Sequence, residues 1–260
     1  MRTGFVLFIV VLVATFAAAC SGSTPGPATS PIVSQIPLVD GERYIYALVD
    51  IEGESIGLTL ELSTRLEGTR YVLTQRFEGG EEEGRAPGTD EINLTVDAAT
   101  FAPFAAQREV VQENDDGASE LDRYEWSYAD DGEGGVMLTS TLDRDGDVET
   151  RESDLRDNAY DNESSLWLWR TVDFSEELDL NYVSVNPIER TQQTVNIQTP
   201  AIETIEVPAG SFEVWRLIVR NGRAIRSAWI NTQAPHQLVQ WDNGDVIYRL
   251  ETSDVPLNGG

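Results

Sequence analysis

ETIEVPAGSFEVWRLIVRNGRAIRSAWINTQAPHQLVQWDNGDVIYRL runs from Glu203 to Leu250 and reads as an antiparallel meander. Runs of β-branched and aromatic residues are broken at Pro208-Ala209-Gly210, Asn221-Gly222, Ala234-Pro235-His236 and Asn243-Gly244. Proline fixes φ and glycine frees it, which suits tight reversals, and Asn-Gly favours a two-residue hairpin turn. Strands are therefore expected over 203–207, 212–220, 224–231, 237–242 and 246–250. The strand over 212–220 carries bulk on both faces, with Phe212, Val214 and Ile218 on one and Trp215, Leu217 and Val219 on the other. Such a strand is covered on both sides, or one face lines a cavity. Arg216 and Arg220 share the face of Phe212 and would each need a carboxylate partner if buried.

The pattern extends upstream. Short strand-like runs at 44–49, 56–63 and 71–77 are separated by Glu/Gly-rich turns, and 78–90 reads as an exposed loop. Segments 92–96 and 104–111 pair plausibly across 98–103. Residues 120–128, 136–142 and 148–155 continue the alternation, and 182–185 and 191–198 lead into the meander. This spacing is that of an antiparallel barrel or sandwich. One helical turn interrupts it at 164–172: Asn162 or Ser164 can cap it, and Leu166, Trp169 and Arg170 share a face.

The order of VPAG, Ser211-Phe212-Glu213-Val214-Trp215-Arg216, a polar turn, a strand with Trp229, and Ala234-Pro235-His236 resembles a domain of unknown function from bacterial envelope proteins. Residues 160–170 resemble its short helical insert, and 94–103 its middle hairpin. The resemblance covers 94–250. It implies a mainly β fold, a single curved antiparallel sheet or incomplete β-barrel with one short helix, similar to the periplasmic lipoprotein carriers. It implies no activity.

Residues 1–19 carry one positive charge and an apolar run from Phe5 to Ala19, too short to span a bilayer and typical of a secretory signal. Ala17-Ala18-Ala19-Cys20 resembles a bacterial lipobox, with Ala17 where leucine is usual. Cys20, the only cysteine, forms no internal disulfide and is the candidate lipidation site. The expected partner is thus a membrane, through an acyl anchor, in the extracytoplasmic envelope. Residues 20–37, rich in Ser, Pro, Gly and Thr, read as a lipidated cysteine and flexible tether. That leaves 38–260 as a single half-barrel domain.

Acidic residues number 45 against 18 basic ones, and every basic residue is arginine. A net charge of −27 argues against nucleic acid, whose phosphates need neutralising, and against docking of the domain surface on anionic lipid. It is consistent with solubility or a salty medium, and also with capture of cations.

Catalytic signatures are missing. His236 is the sole histidine and sits in a turn, no serine lies in a nucleophile elbow, and zinc would lack ligands. No catalytic residue, cofactor or firm metal site is expected. Asp143, Asp145 and Asp147 echo a calcium loop, but glycine falls at its fourth place and Asp154 at its twelfth, and the same residues form a hairpin turn. Two function classes remain. In one, the half-barrel holds a lipid or other apolar ligand, with Trp167, Trp169, Trp215, Trp229 and Tyr248 as candidate lining. In the other, the core is filled and the outer surface binds an envelope protein.

Overall fold

The computed structural model describes residues 29–79, 88–113, 119–144, 146–174 and 177–255. Eight consecutive antiparallel strands come first: β1 (Arg43–Val49), β2 (Ser55–Glu67), β3 (Arg70–Gly79), β4 (Gly88–Asp97), β5 (Pro103–Glu113), β6 (Ser119–Asp130), β7 (Val136–Arg144) and β8 (Asp147–Asp154). A short strand β9 (Ala159–Asp161) then leads into the helical insert. Six further strands complete the chain: β10 (Asp179–Asn186), β11 (Thr191–Val207), β12 (Gly210–Asn221), β13 (Ala224–Asn231), β14 (Leu238–Asp242) and β15 (Ile247–Asp254).

All fifteen strands belong to one unclosed sheet, in the order β8-β7-β6-β5-β4-β3-β2-β1-β15-β14-β13-β12-β11-β10-β9. Every neighbouring pair is antiparallel except β9–β10. The expected mainly β, curved antiparallel sheet with one short helix is therefore the fold. The first and last strands meet in mid-sheet, where Tyr46 pairs with Leu250 and Leu48 with Tyr248. The edge strand β8 also reaches β11 on the opposite flank. Gln192 at the start of β11 donates to the Asp154 carbonyl at the end of β8 at 2.7 Å, and accepts from the Arg156 amide at 2.9 Å.

The turns follow local chemistry with small shifts from expectation. The β12–β13 turn is centred on Gly222-Arg223, with Gly222 at φ 58° and Asn221 still paired to Ala224. A single positive φ at the first central residue is the type II′ pattern, not the I′ pattern that Asn-Gly favours. Strand β11 is longer than anticipated and runs through Pro200. The register slips between Gln198 and Ala201, because proline has no N–H to give the ladder.

The inner face carries the core. Strand partners share a face, so Tyr46, Leu48, Leu73, Leu94, Leu217 and Val219 point inward along with their neighbours. Lying on this face, the insert consists of a 3-10 turn (Asn162–Ser164), the single turn α1 (Ser165–Leu168) and a second 3-10 turn (Trp169–Thr171). Its cap is neither Asn162 nor Ser164. The Asp161 side chain accepts from the Glu163 amide, because the helical backbone starts two residues earlier than the apolar spacing suggests. Residues 166–172 are all buried, so this is a plug surrounded by sheet and not an amphipathic surface helix.

One buried ion pair locks the plug. Arg170 is 2% exposed and Glu42 0%. The guanidinium donates to both carboxylate oxygens at 2.8 and 2.9 Å, and to the backbone carbonyls of Pro235 and His236 at 3.0 and 3.1 Å. Glu42 also accepts from the Tyr44 and Thr64 hydroxyls at 2.9 and 3.1 Å. Sequence, insert, β1 region and the Ala-Pro-His loop therefore converge on one group.

The amino-terminal approach is ordered where composition suggested a tether. Within 29–37, the Ser34 and Gln35 amides donate to the Thr171 carbonyl at 2.9 and 3.1 Å, and Ile32 is 2% exposed. Isolated apolar residues in a Ser/Pro-rich stretch were enough to dock it.

Candidate functional site

Alternation along β3 and β5 should put only apolar residues inside. Two positions break it: Gln75 stands between Leu73 and Phe77, and Arg108 follows Ala106. Through the ladder, Gln75 and Arg108 both register with Ile92 and so share the inner face. Above them the insert places Asp161 and Glu163. Gln75, Arg108, Asn162 and Glu163 form the floor of a cavity of about 520 Å³ between the insert, β3, β5, β10–β14 and β15, while Asp161 is buried outside its lining.

Part of its wall is aromatic. Trp169 packs on Trp241 with ring centroids 4.6 Å apart, and Phe77 meets Tyr248 edge-on at 6.3 Å. Tyr182 completes this side and accepts a 3.1 Å hydrogen bond from the Trp169 indole. Arg226, Asn221 and Glu189 also line the cavity. More than half of the lining side chains are polar, so the space is amphipathic rather than a greasy slot.

Floor electrostatics are unbalanced. Asp161 is 1% exposed and fully supplied with donors: the Trp126 indole at 2.6 Å, the Tyr128 hydroxyl at 2.7 Å and the Glu163 amide at 2.9 Å. Burial nevertheless raises its carboxyl above the usual range. Arg108 is held bidentate by Asp90 at 2.7 and 2.5 Å. Among the described residues, Glu163 receives two long amide contacts, 3.5 Å from Gln75 and 3.4 Å from Asn162. Loss of solvation, reinforced by the Asp161 charge, pushes its carboxyl up to about 7, against the opposing pull of Arg108.

A raised acid binds more protons folded than unfolded, so its ionisation opposes folding as pH rises from the unfolded value to about 7. Glu163→Gln should therefore leave stability unchanged near pH 4. It should stabilise the protein by on the order of 2 kcal/mol at pH 8, allowing for solvent within the cavity. Urea unfolding at the two pH values measures this, and equal effects at both would contradict it.

The five lining candidates separate by face. Trp169 and Tyr248 stand on the cavity wall. Trp167 is 1% exposed inside the plug and donates to Thr64 at 3.0 Å. Trp215 shares the inner face but stacks on Phe174 at 4.4 Å, away from the cavity. Trp229 registers with Arg216 and Gln240, so it faces outward, where its indole donates to Glu203 at 2.5 Å. Arg216 lies over that ring at 5.5 Å and reaches the Ser227 hydroxyl at 3.4 Å, in place of the anticipated carboxylate; Arg220 is exposed. Trp241, Gln75 and Glu163 were missed. The signal for the last two was a polar residue in an inward phase and an acid at a buried helix start.

His236 has backbone work. Its Nδ1 lies 3.1 Å from the Asn231 carbonyl, its ring packs 5.3 Å from Trp215, and its own carbonyl meets Arg170. Asp143 accepts from the Gly146 amide at 2.9 Å, a turn contact; Asp145 and Cys20 lie outside the described residues. No group of three or more potential metal ligands gathers among the described residues. Nor is any described helix long and apolar enough to cross a membrane.

The family model "Protein of unknown function (DUF3108)" matches residues 45–250, which span the sheet from β1 to β15. The chain belongs to this family. Among solved structures it is similar to a β-barrel-like protein of the domain of unknown function DUF1849 from Brucella abortus. The TM-score is 0.56 at 11% identity, over 84% of this chain and 98% of that one. A Bacteroides fragilis protein with a YmcC-like fold matches at a TM-score of 0.29 and 10% identity, over 86% of this chain and 100% of that one. No curated protein matches. The likeness to the Brucella abortus protein shows a shared β-barrel-like fold.

Proposed function

We propose that this member of the family is a lipid-anchored extracytoplasmic binding protein whose half-barrel holds an amphiphilic ligand. The observation that carries this reading is the cavity of about 520 Å³, with an aromatic wall on one side and polar side chains on its floor. An apolar body would pack on Trp169, Trp241 and Tyr248, and a polar group would lie toward Gln75 and Glu163. The signal-like residues 1–19 and the lipobox-like approach to Cys20 support membrane attachment through an acyl chain.

The alternative, a surface interaction module, has less behind it. A natural place for a partner strand is the free sheet edge at β8, yet almost the whole of DVETRESD is exposed and five of its eight residues are charged. Charged edges oppose strand addition.

Native mass spectrometry of the protein purified gently from its bacterial host tests the proposal. A lipid-sized adduct removed by organic extraction is the expected result. A clean unliganded mass, with tryptophan fluorescence unmoved by amphiphiles, would overturn it. Cys20→Ser should shift the protein from the membrane to the soluble fraction.

A further inference from the structure

Negative charge outweighs positive around the cavity floor, where Glu163, Asp161 and Asp90 face one guanidinium, that of Arg108. Arg108 gives its Nε and one Nη to Asp90, and Asp161 is already met by Trp126, Tyr128 and the Glu163 backbone. Glu163 projects a carboxylate whose hydrogen-bond contacts among the described residues are two amide groups at 3.4 and 3.5 Å. Charge-assisted hydrogen bonds normally close to about 2.7–2.9 Å, so these two leave its oxygens undersupplied. Beside it, Asn162 Oδ1 is shielded from solvent and accepts no hydrogen bond among the described residues. An ammonium group brings three donors and a positive charge. The chain has no lysine anywhere, so it holds no side-chain ammonium of its own to supply this site.

We infer that the cavity selects ligands carrying a primary amine, with the ammonium seated on Glu163 and the apolar body against the aromatic wall. This rests on the binding reading above and names its ligand class. A carboxylate-headed amphiphile is rejected, since Glu163 at the floor, with the Asp161 and Asp90 charges acting on it from behind the lining, outweighs Arg108. Arg226, the remaining cation on the wall, is occupied with the Asn243 carbonyl at 3.0 Å. The field of a protein with net charge −27 also draws cations toward the site.

Binding is then linked to protons. The charged and titratable groups around Glu163 are Asp161 from β9, Asp90 from β4, Arg108 from β5, Tyr128 from β6 and Tyr248 from β15. The ammonium needs Glu163 ionised, so binding releases a proton below neutrality. Affinity falls by about tenfold per pH unit under pH 7 and levels off above it.

The test uses n-octylamine, n-octanol and octanoate as probes of equal chain length, titrated calorimetrically into the full chain at pH 6 and pH 8. Octylamine should bind most tightly, with about 10-fold or greater preference and the stated pH dependence. Glu163→Gln should cost about 10–100-fold for the amine alone and flatten its pH profile. Equal binding of all three probes, or an unaltered amine affinity in Glu163→Gln, overturns the amine inference while leaving the cavity as a binding site. Binding of none of the three, with wild-type folding verified by circular dichroism, overturns the inference and the binding reading together.

Discussion

Arg170→Met is expected to destabilise the protein by about 3–5 kcal/mol, the usual loss when one partner of a buried ion pair is removed. The substitution strands Glu42 at 0% exposure with only the Tyr44 and Thr64 hydroxyls to solvate its charge. It also leaves the Pro235 and His236 carbonyls without their guanidinium donor. For a domain of this size the melting temperature should fall by roughly 6–20 °C. The pair itself is a different matter, because both charges were desolvated to make it. A Glu42→Leu/Arg170→Met double variant should recover a large part of the loss, and a double-mutant cycle by thermal unfolding measures how much. A single-variant loss below about 1 kcal/mol would show that the network is not what holds the insert against the sheet.

Trp167→Ala should cost about 3–5 kcal/mol, the range for deleting a large aromatic from a core. Trp167 is among the largest fully buried side chains, and its indole N–H joins the insert to Thr64 on β2. Thr64 in turn donates to Glu42, so the loss reaches the ion pair as well. Trp167→Phe keeps most of the ring area but drops the hydrogen bond, and should lose about half as much. Chemical denaturation of the three proteins checks the order. Equal stability of Ala and Phe variants would mean that volume is irrelevant there and that the indole N–H alone matters.

Much of the architecture was legible because strands and turns write themselves locally. The meander from Glu203 to Leu250, the Asp-Gly hairpin and the helical insert each depend on a few neighbouring residues. What was not legible depends on pairing between distant residues. Trp229 and Trp215 look alike in sequence, but Trp229 registers with Arg216 and faces outward, while Trp215 points inward beneath Phe174. Trp241 reached the cavity only because it pairs with Ala228 and Tyr248. Glu163 could not be singled out among 45 acids until the insert was laid over Gln75.

The pairing of β1 with β15 has a kinetic consequence. Each flank of the sheet is a succession of short hairpins that can zip locally as chain becomes available. The seam between the flanks joins residues 43–49 to 247–254, and closing a loop of about two hundred residues carries the largest entropic penalty of any ladder in the sheet. The two flanks therefore behave as separate arms until the last strand has been made. During synthesis from the amino terminus, β1 exposes an unpaired edge until β15, about two hundred residues later, arrives to cover it.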